Sequence, residues 1–187
     1  EIKNLGPTIN SEYPDYVPAI SADETQLIFT SRRENSTGGE TTLTGGYYED
    51  IYISHKDRDG NWTKPEHLPE PINTESHDAA VAMSPDGNSI FIYKSGDRDL
   101  YECDLEGDSW SEPKSLGDNI NGRKTWEPSC TITADEKSIF FVSDRDGGYG
   151  GFDIYFSRRQ MDGSWGPAKN MGPEINTKFD DDGPFIH

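Results

Sequence analysis

At 187 residues the chain is long enough to bury a core of its own, yet only 31% of it is hydrophobic, and 19 Gly and 12 Pro are spread along it. An aromatic content of 11% argues against a disordered acidic tail and, with the Gly and Pro, suits many short strands joined by turns. Seventeen basic residues against 35 acidic ones leave a net charge of −18, which repels phosphate backbones and anionic headgroups; it argues against nucleic-acid and polybasic membrane roles and favours a basic partner, a cation or simply a well-solvated surface.

A refrain comes first in the chain and then returns. Leu5-Gly6-Pro7-Thr8-Ile9-Asn10 recurs as Leu68-Pro69-Glu70-Pro71-Ile72-Asn73, as Leu116-Gly117-Asp118-Asn119-Ile120-Asn121 and as Met171-Gly172-Pro173-Glu174-Ile175-Asn176. The Ile-Asn pairs lie 63, 48 and 55 residues apart, the size of a supersecondary unit, so the chain reads as a repeat array.

After each Ile-Asn comes a polar link and then a short apolar run, strand A: Tyr16 to Ser21, Ala79 to Ser84 and Pro128 to Thr133. Pro in two copies places part of strand A where no ladder donor is needed. Tight turns follow at Ala22-Asp23-Glu24, Pro85-Asp86-Gly87 and Ala134-Asp135-Glu136. Strand B (Leu27 to Ser31, Ile90 to Lys94, Ile139 to Ser143) is apolar at consecutive positions, which predicts cover on both faces.

Strand C is the most regular element, with Asp50-Ile51-Tyr52, Asp99-Leu100-Tyr101 and Asp153-Ile154-Tyr155. It runs into Gly-Trp turns whose Trp62, Trp110 and Trp165 are expected to fill the space between units. A strand D then passes Pro65, Pro113 or Pro167 to the next refrain. No segment has ten residues of 3.6 periodicity, so essentially no helix is expected.

Four short antiparallel strands repeated at about 50 residues are the blade of an all-β propeller. The phasing predicts strand D of a preceding blade at 1–10, blade one at 11–73, blade two at 74–121, blade three at 122–176 and strand A of a fourth blade at 177–187. Open edges then call for further blades or another chain. A β-sandwich, the alternative, leaves the constant motif order unexplained.

Ser84-Pro85-Asp86-Gly87 before Ser89-Ile90-Phe91-Ile92, Ser143-Asp144-Arg145 after strand B, Asp153-Ile154-Tyr155 and the Gly-Trp turns together resemble the TolB-type, WD-repeat-like β-propeller repeats of bacterial envelope proteins. They look most like the propeller region of Bacteroidota outer-membrane proteins that carry tetratricopeptide repeats and an OmpA-like domain, including a component associated with type IX secretion. That resemblance implies a periplasmic or outer-membrane-associated location, with an export signal removed or omitted before Glu1, and a non-catalytic scaffold role with protein partners in the envelope. A glycan- or peptidoglycan-binding propeller is the alternative, and a fragment of a propeller glycoside hydrolase a second one.

In such a blade the B–C loop and the D–A link share one face, which here receives the long segments 32–49 and 144–152 but only Gly96-Asp97-Arg98 in blade two. It also collects Asp15, Asp78, Glu127 and Asp181 from the links and Asp50, Asp99 and Asp153 from strand C, with Arg33, Arg98, Arg145 and Tyr149 beside them. These residues are the candidate binding face for a cation or for Lys and Arg of a protein partner. The alternative is that each carboxylate accepts N–H bonds within its own loop or pairs with those arginines.

Asp57-Arg58-Asp59-Gly60, Asp144-Arg145-Asp146-Gly147 and Asp180-Asp181-Asp182-Gly183 lack the distant Glu of a calcium loop, so no metal is expected. Gly147-Gly148-Tyr149-Gly150-Gly151 runs into strand rather than helix, which argues against a phosphate loop; no cofactor is expected. The four histidines show no metal-ligand spacing and no Gly-x-Ser-x-Gly elbow occurs, so the expectation is not an enzyme. Cys103 and Cys130 lack CxxC or zinc spacing; a disulfide and two inert thiols both stay open.

Overall fold

The computed structural model describes residues 2–39, 42–43 and 45–186 and contains, among these, strands and turns but no helix. Three antiparallel sheets follow one another along the chain. The first has the order β1 (Asp15–Ile20), β2 (Gln26–Ser31), β3 (Asp50–His55), β4 (Glu66–His67). The second contains β5 (Asp78–Met83), β6 (Ser89–Lys94), β7 (Asp99–Glu106) and β9 (Lys114–Ser115), with β8 (Ser109–Trp110) paired to the far end of β7. The third has the order β10 (Cys130–Ile132), β11 (Ser138–Ser143), β12 (Asp153–Arg158), β13 (Lys169–Asn170).

The A–B turns are built from hydroxyls. Ser21, Ser84 and Thr133 each donate to an aspartate two residues on, at 2.6, 2.6 and 2.7 Å, and each accepts an N–H from the first or second residue of strand B. The turns close through a left-handed residue: Gly87 in blade two, but Glu24 (φ 58°) and Glu136 (φ 56°) in the others. Strand A of blade one is interrupted at Val17-Pro18, where the register shifts between Tyr16 and Ala19, which is where the proline is accommodated.

Side-chain alternation along strand B joins the sheets. In β6, Ile90 and Ile92 pack with Ile28 and Ile51 of the first sheet, whereas Phe91 packs with Ile139 and Phe141 of the third. The isoleucines of the two inner refrains wedge into these seams, Ile72 and Ile120 being 1% and 0% exposed, whereas Ile9 caps the outer face of the first sheet with Leu27, Phe29 and Tyr52. Ile175, which has no following sheet beside it, is 49% exposed.

The tryptophans depart in part from expectation. Trp165 is buried between the second and third sheets, where Arg159 lies 4.5 Å over its ring and bridges to Glu102 at 2.7 Å. Trp62 and Trp110 are half-buried, because each lies at the outer end of its sheet with one face toward solvent. The cysteines are free and buried in different seams, Cys103 between the first and second sheets and Cys130 between the second and third. Burial pushes the Cys103 thiol up to about 12, so it is protonated and inert at neutral pH.

Residues 2–10 and 177–186 carry no strand. In each sheet strand A pairs with strand B and strand D with strand C of the same blade, and neither terminal segment has such a neighbour.

Candidate functional site

The B–C loops and D–A links meet on one face through main-chain contacts, three of them between successive blades and one, Ser95 to His77, within blade two. Asp78 N donates to Glu49 O (2.8 Å), Ser95 N to His77 O (3.0 Å), Glu127 N to Arg98 O (3.1 Å) and Asp181 N to Phe152 O (2.8 Å). The opposite face holds the short turns, joined for instance by Ala22 N to Pro85 O at 2.7 Å.

The four link acids are used in building this face. Asp15, Asp78 and Asp181 each accept the main-chain N–H of the residue four positions earlier, Ser11, Thr74 and Thr177, at 2.6 Å. Glu127 instead takes the hydroxyls of Thr125 (2.8 Å) and Ser143 (2.6 Å). A cation then ties the acid to the refrain. Arg33 contacts Asp15 and donates to Ile9 O; Arg145 contacts Glu127 and donates to Ile120 O. In blade two this role falls to Lys94, which reaches Asp78 at 3.1 Å and the carbonyls of Pro71 and Ile72 at 2.9 and 2.8 Å. Arg98, by contrast, pairs with no carboxylate among the described residues and stacks 5.5 Å over Trp126. Burial raises the Asp15 carboxyl, but hydrogen bonds from Ser31 and Ser11 and the Arg33 charge outweigh it and hold it below the usual range. At Asp78 and Glu127 burial prevails over the neighbouring donors, and both carboxyls are raised.

The strand-C acids divide differently. Asp50 is fully buried and accepts Thr37 N at 2.5 Å while His67 Nε2 lies 2.5 Å away. Asp153, equally buried, accepts Tyr149 N (2.5 Å), Gly150 N (3.1 Å) and Asn170 Nδ2 (3.0 Å). Both carboxylates thus hold a long B–C loop down onto its blade. Asp99 is half-buried and its carboxylate has no hydrogen-bond donor among the described residues. Burial pushes it up to about 6, reinforced by the charges of Asp97, Glu127 and Asp118.

Asp99 lines an open cavity of about 540 Å³ with Asp97, Asp118, Asn121, Arg123 and Lys124. Beside it the link runs on to Trp126, 38% exposed, whose ring meets Phe152 edge-on at 5.6 Å; Tyr149 on the same loop is 50% exposed. The structure therefore places Asp50, Asp78, Glu127 and Asp153 beneath the surface, where they shape the face. Asp99, Arg98 and Tyr149 are left at least partly open, and Arg33, Arg145, Asp15 and Asp181 lie partly covered within the loops.

One hub escaped the sequence reading. Glu49 accepts from Tyr16 OH and from Arg32 Nη2 (2.8 Å), and His77 Nδ1 lies 3.0 Å from its other oxygen. Burial raises the Glu49 carboxyl, but the Tyr16 and Arg32 hydrogen bonds prevail and lower it. Its partners come from strand A, the start of the B–C loop and the following link, a convergence with no local sequence mark. No group of three or more His, Cys, Asp or Glu among the described residues is placed to hold a metal ion.

Sheets of this strand order, stacked face to face through strand B with loops gathered on one side, define a β-propeller. The solved structures agree. The chain is similar to TolB from Acinetobacter baumannii, with a TM-score of 0.56 at 16% identity, over 84% of this chain and 32% of that one. It is similar to prolyl oligopeptidase B from Galerina marginata, at 0.54 and 14%, over 88% of this chain and 20% of that one. The fold is that of TolB-like propeller blades, and the chain spans about a third of the TolB chain and a fifth of the peptidase chain. No protein-family model and no curated protein matches the sequence.

Proposed function

We propose that this chain is a non-catalytic interaction module of a bacterial envelope complex, periplasmic or outer-membrane-associated, which offers its loop-bearing acidic face to a protein partner. The observation that carries the reading is how the buried carboxylates are used. Asp15, Asp50, Asp78, Glu127 and Asp153 are engaged with their own loops and cations, so they make the face rigid, while Asp99 and Asp118 remain available on it beside Asp97, which accepts from Tyr101 OH, and the partly exposed Trp126 ring. A rigid display of loops with few groups to immobilise lowers the entropy cost of association. The resemblance of the Ser84-Pro85-Asp86-Gly87, Ser143-Asp144-Arg145, Asp153-Ile154-Tyr155 and Gly-Trp motifs to propellers associated with type IX secretion supports that setting.

The outer face of the third sheet supports a second contact. Phe140 and Phe156 stack there at 6.0 Å, both half-buried, beside the exposed Ile175, and a further blade of this or another chain would cover them. Exposed Trp126 and Tyr149 on the loop face also favour, as a second reading, a glycan that stacks on aromatic rings.

Capture from envelope extract separates these readings. Wild type and a variant with Asp97, Asp99 and Asp118 changed to Lys are compared for protein partners and for retention on a polysaccharide column. Protein capture that the variant and high salt abolish supports the proposal; polysaccharide retention without protein capture refutes it. Robust turnover of chromogenic glycosides or esters would refute its non-catalytic part.

A further inference from the structure

The three blades perform the same construction with one part different. In blades one and three the B–C loop folds back and lays main-chain N–H groups on the first residue of strand C, at Thr37 for Asp50 and at Tyr149 and Gly150 for Asp153. Both loops are glycine-rich at that point because the approach is close. A Cβ at Gly148 would stand 2.0 Å from Asp153 Oδ2, and one at Gly38 would stand 2.6 Å from the Tyr48 ring. The residue of strand D beside the carboxylate adds a second donor, His67 in blade one and Asn170 in blade three.

Blade two lacks both. Its B–C connection is only Gly96-Asp97-Arg98, too short to fold back over Asp99. Its strand-D residue at the matching position is Ser115, paired with Tyr101 as His67 is with Tyr52 and Asn170 with Tyr155. The Ser115 hydroxyl accepts from Gly117 N and Asn121 Nδ2, as Asn170 Oδ1 accepts from Gly172 N and Asn176 Nδ2, but serine has no second arm to reach the acid. What the loop fills elsewhere is here the 540 Å³ cavity, with Asp99 in its wall.

We propose that this cavity takes a short glycine-containing main-chain segment of a partner polypeptide, whose N–H groups cap Asp99 as the chain's own loops cap Asp50 and Asp153. The inference rests on the protein-interaction reading and names its point of contact. Arg123 and Lys124, also in the cavity wall, suit the carbonyl oxygens of such a segment, and Trp126 next to it offers a ring on which a flanking side chain can rest. Because the Asp99 carboxylate makes no hydrogen bond among the described residues, removing it leaves their hydrogen bonds intact.

The test uses this chain's blade-three loop as the probe. Acetyl-Gly-Gly-Tyr-Gly-Gly-amide is titrated into the ¹⁵N-labelled chain and amide shifts are followed by NMR. The expected result is saturable shifts at residues 96–99 and 122–126, weakened at least about tenfold by Asp99→Ala. They should also be abolished when the tyrosine and the glycine that follows it in the probe are N-methylated, since that removes the two N–H groups that correspond to Tyr149 N and Gly150 N. No saturable shift there, or equal binding of the N-methylated probe or of the Asp99→Ala variant, overturns the inference. Replacing residues 96–98 by residues 144–152 should close the cavity from within and remove probe binding; persistent binding counts against it. If Asp99→Ala captures envelope partners as wild type does, this inference fails while the broader interaction reading stands.

Discussion

The side chain of Asn121 completes the ladder of β7 at Leu100: Oδ1 accepts Leu100 N at 3.0 Å and Nδ2 donates to Leu100 O at 2.9 Å. Asn73 does the same for Ile51 at 2.7 and 3.0 Å, and Asn176 for Ile154 at 2.8 and 2.9 Å. One amide thus satisfies both main-chain groups of a strand C residue just where strand D has ended, while the preceding isoleucine fills the seam between blades. This is why Ile and Asn recur as a pair.

Truncating such an asparagine orphans a buried N–H and leaves the C=O with only the main-chain bond from the start of the refrain, Leu68 N to Ile51 O at 3.1 Å and Leu116 N to Leu100 O at 3.2 Å. Asn73→Ala and Asn121→Ala are each expected to cost about 2–4 kcal/mol by urea unfolding, and Asn10→Ala under about 0.5 kcal/mol. Asn10 is exposed and, among the described residues, its side-chain amide reaches only Asn4. Equal effects at all three positions would show that the refrain is not a ladder device.

Glu24 and Glu136 occupy left-handed positions where blade two has Gly87. Each side chain there costs about 1 kcal/mol, partly offset by the greater entropy that glycine loses on folding. Glu136→Gly should therefore stabilise by about 0.5 kcal/mol, and Gly87→Ala should destabilise, its Cβ standing 2.4 Å from Gln26 Nε2. Thermal unfolding of the two variants checks the opposite signs.

Glu127 is fully buried with Arg145 beside it. Arg145→Met leaves that carboxylate uncompensated, at an expected cost of about 3–5 kcal/mol near neutral pH that shrinks as acid protonates it. Adding Glu127→Gln to Arg145→Met should recover a large part of the loss. A double-mutant cycle by urea unfolding decides, and strict additivity would contradict the pairing.

Asp99 gives a pH effect of the opposite sense from a salt-bridged acid. Its folded pKa of about 6 stands above the ordinary 3.8, so the folded chain takes up this proton first. Ionised Asp99 therefore destabilises the fold above about 6, and the penalty fades as pH falls toward 3.8. Asp97, Glu127 and Asp118 add to it, while Arg123 and Lys124 are the cations in the same cavity wall. Asp99→Asn should melt above wild type at neutral pH and match it near the acid end of that window. A difference that does not change with pH would sink this assignment.

The strands were legible because their signals are local: alternation or consecutive apolar residues, bounded by Asp-Gly and Gly-Trp turns. Strand A and strand C starts fall at or within a few residues of those expected, as with Asp50, Asp99 and Asp153 opening strand C. The set of acids on one face was legible too, since strand order alone brings B–C loops and D–A links together. Their roles were not, because each depends on a partner far along the chain. Lys94 takes in blade two the place that Arg33 and Arg145 take elsewhere, from a position filled by Ser31 and Ser143, so Arg98 looked like the cation and is not. Asp50, Asp99 and Asp153 are alike in local sequence and differ by the length of loop that returns to them and by the strand-D residue beside them, His67, Ser115 or Asn170.

The most direct test of the interaction reading is capture from envelope extract by three forms of the chain. These are the wild type, a loop-face variant with Asp97, Asp99 and Asp118 changed to Lys, and a turn-face variant with Asp57, Asp108 and Asp162 changed to Lys, all with matched net charge in the variants. A protein partner retained by the wild type and the turn-face variant and lost from the loop-face variant is the predicted result. Equal retention by both variants, or equal loss from both, would contradict recognition through the loop face.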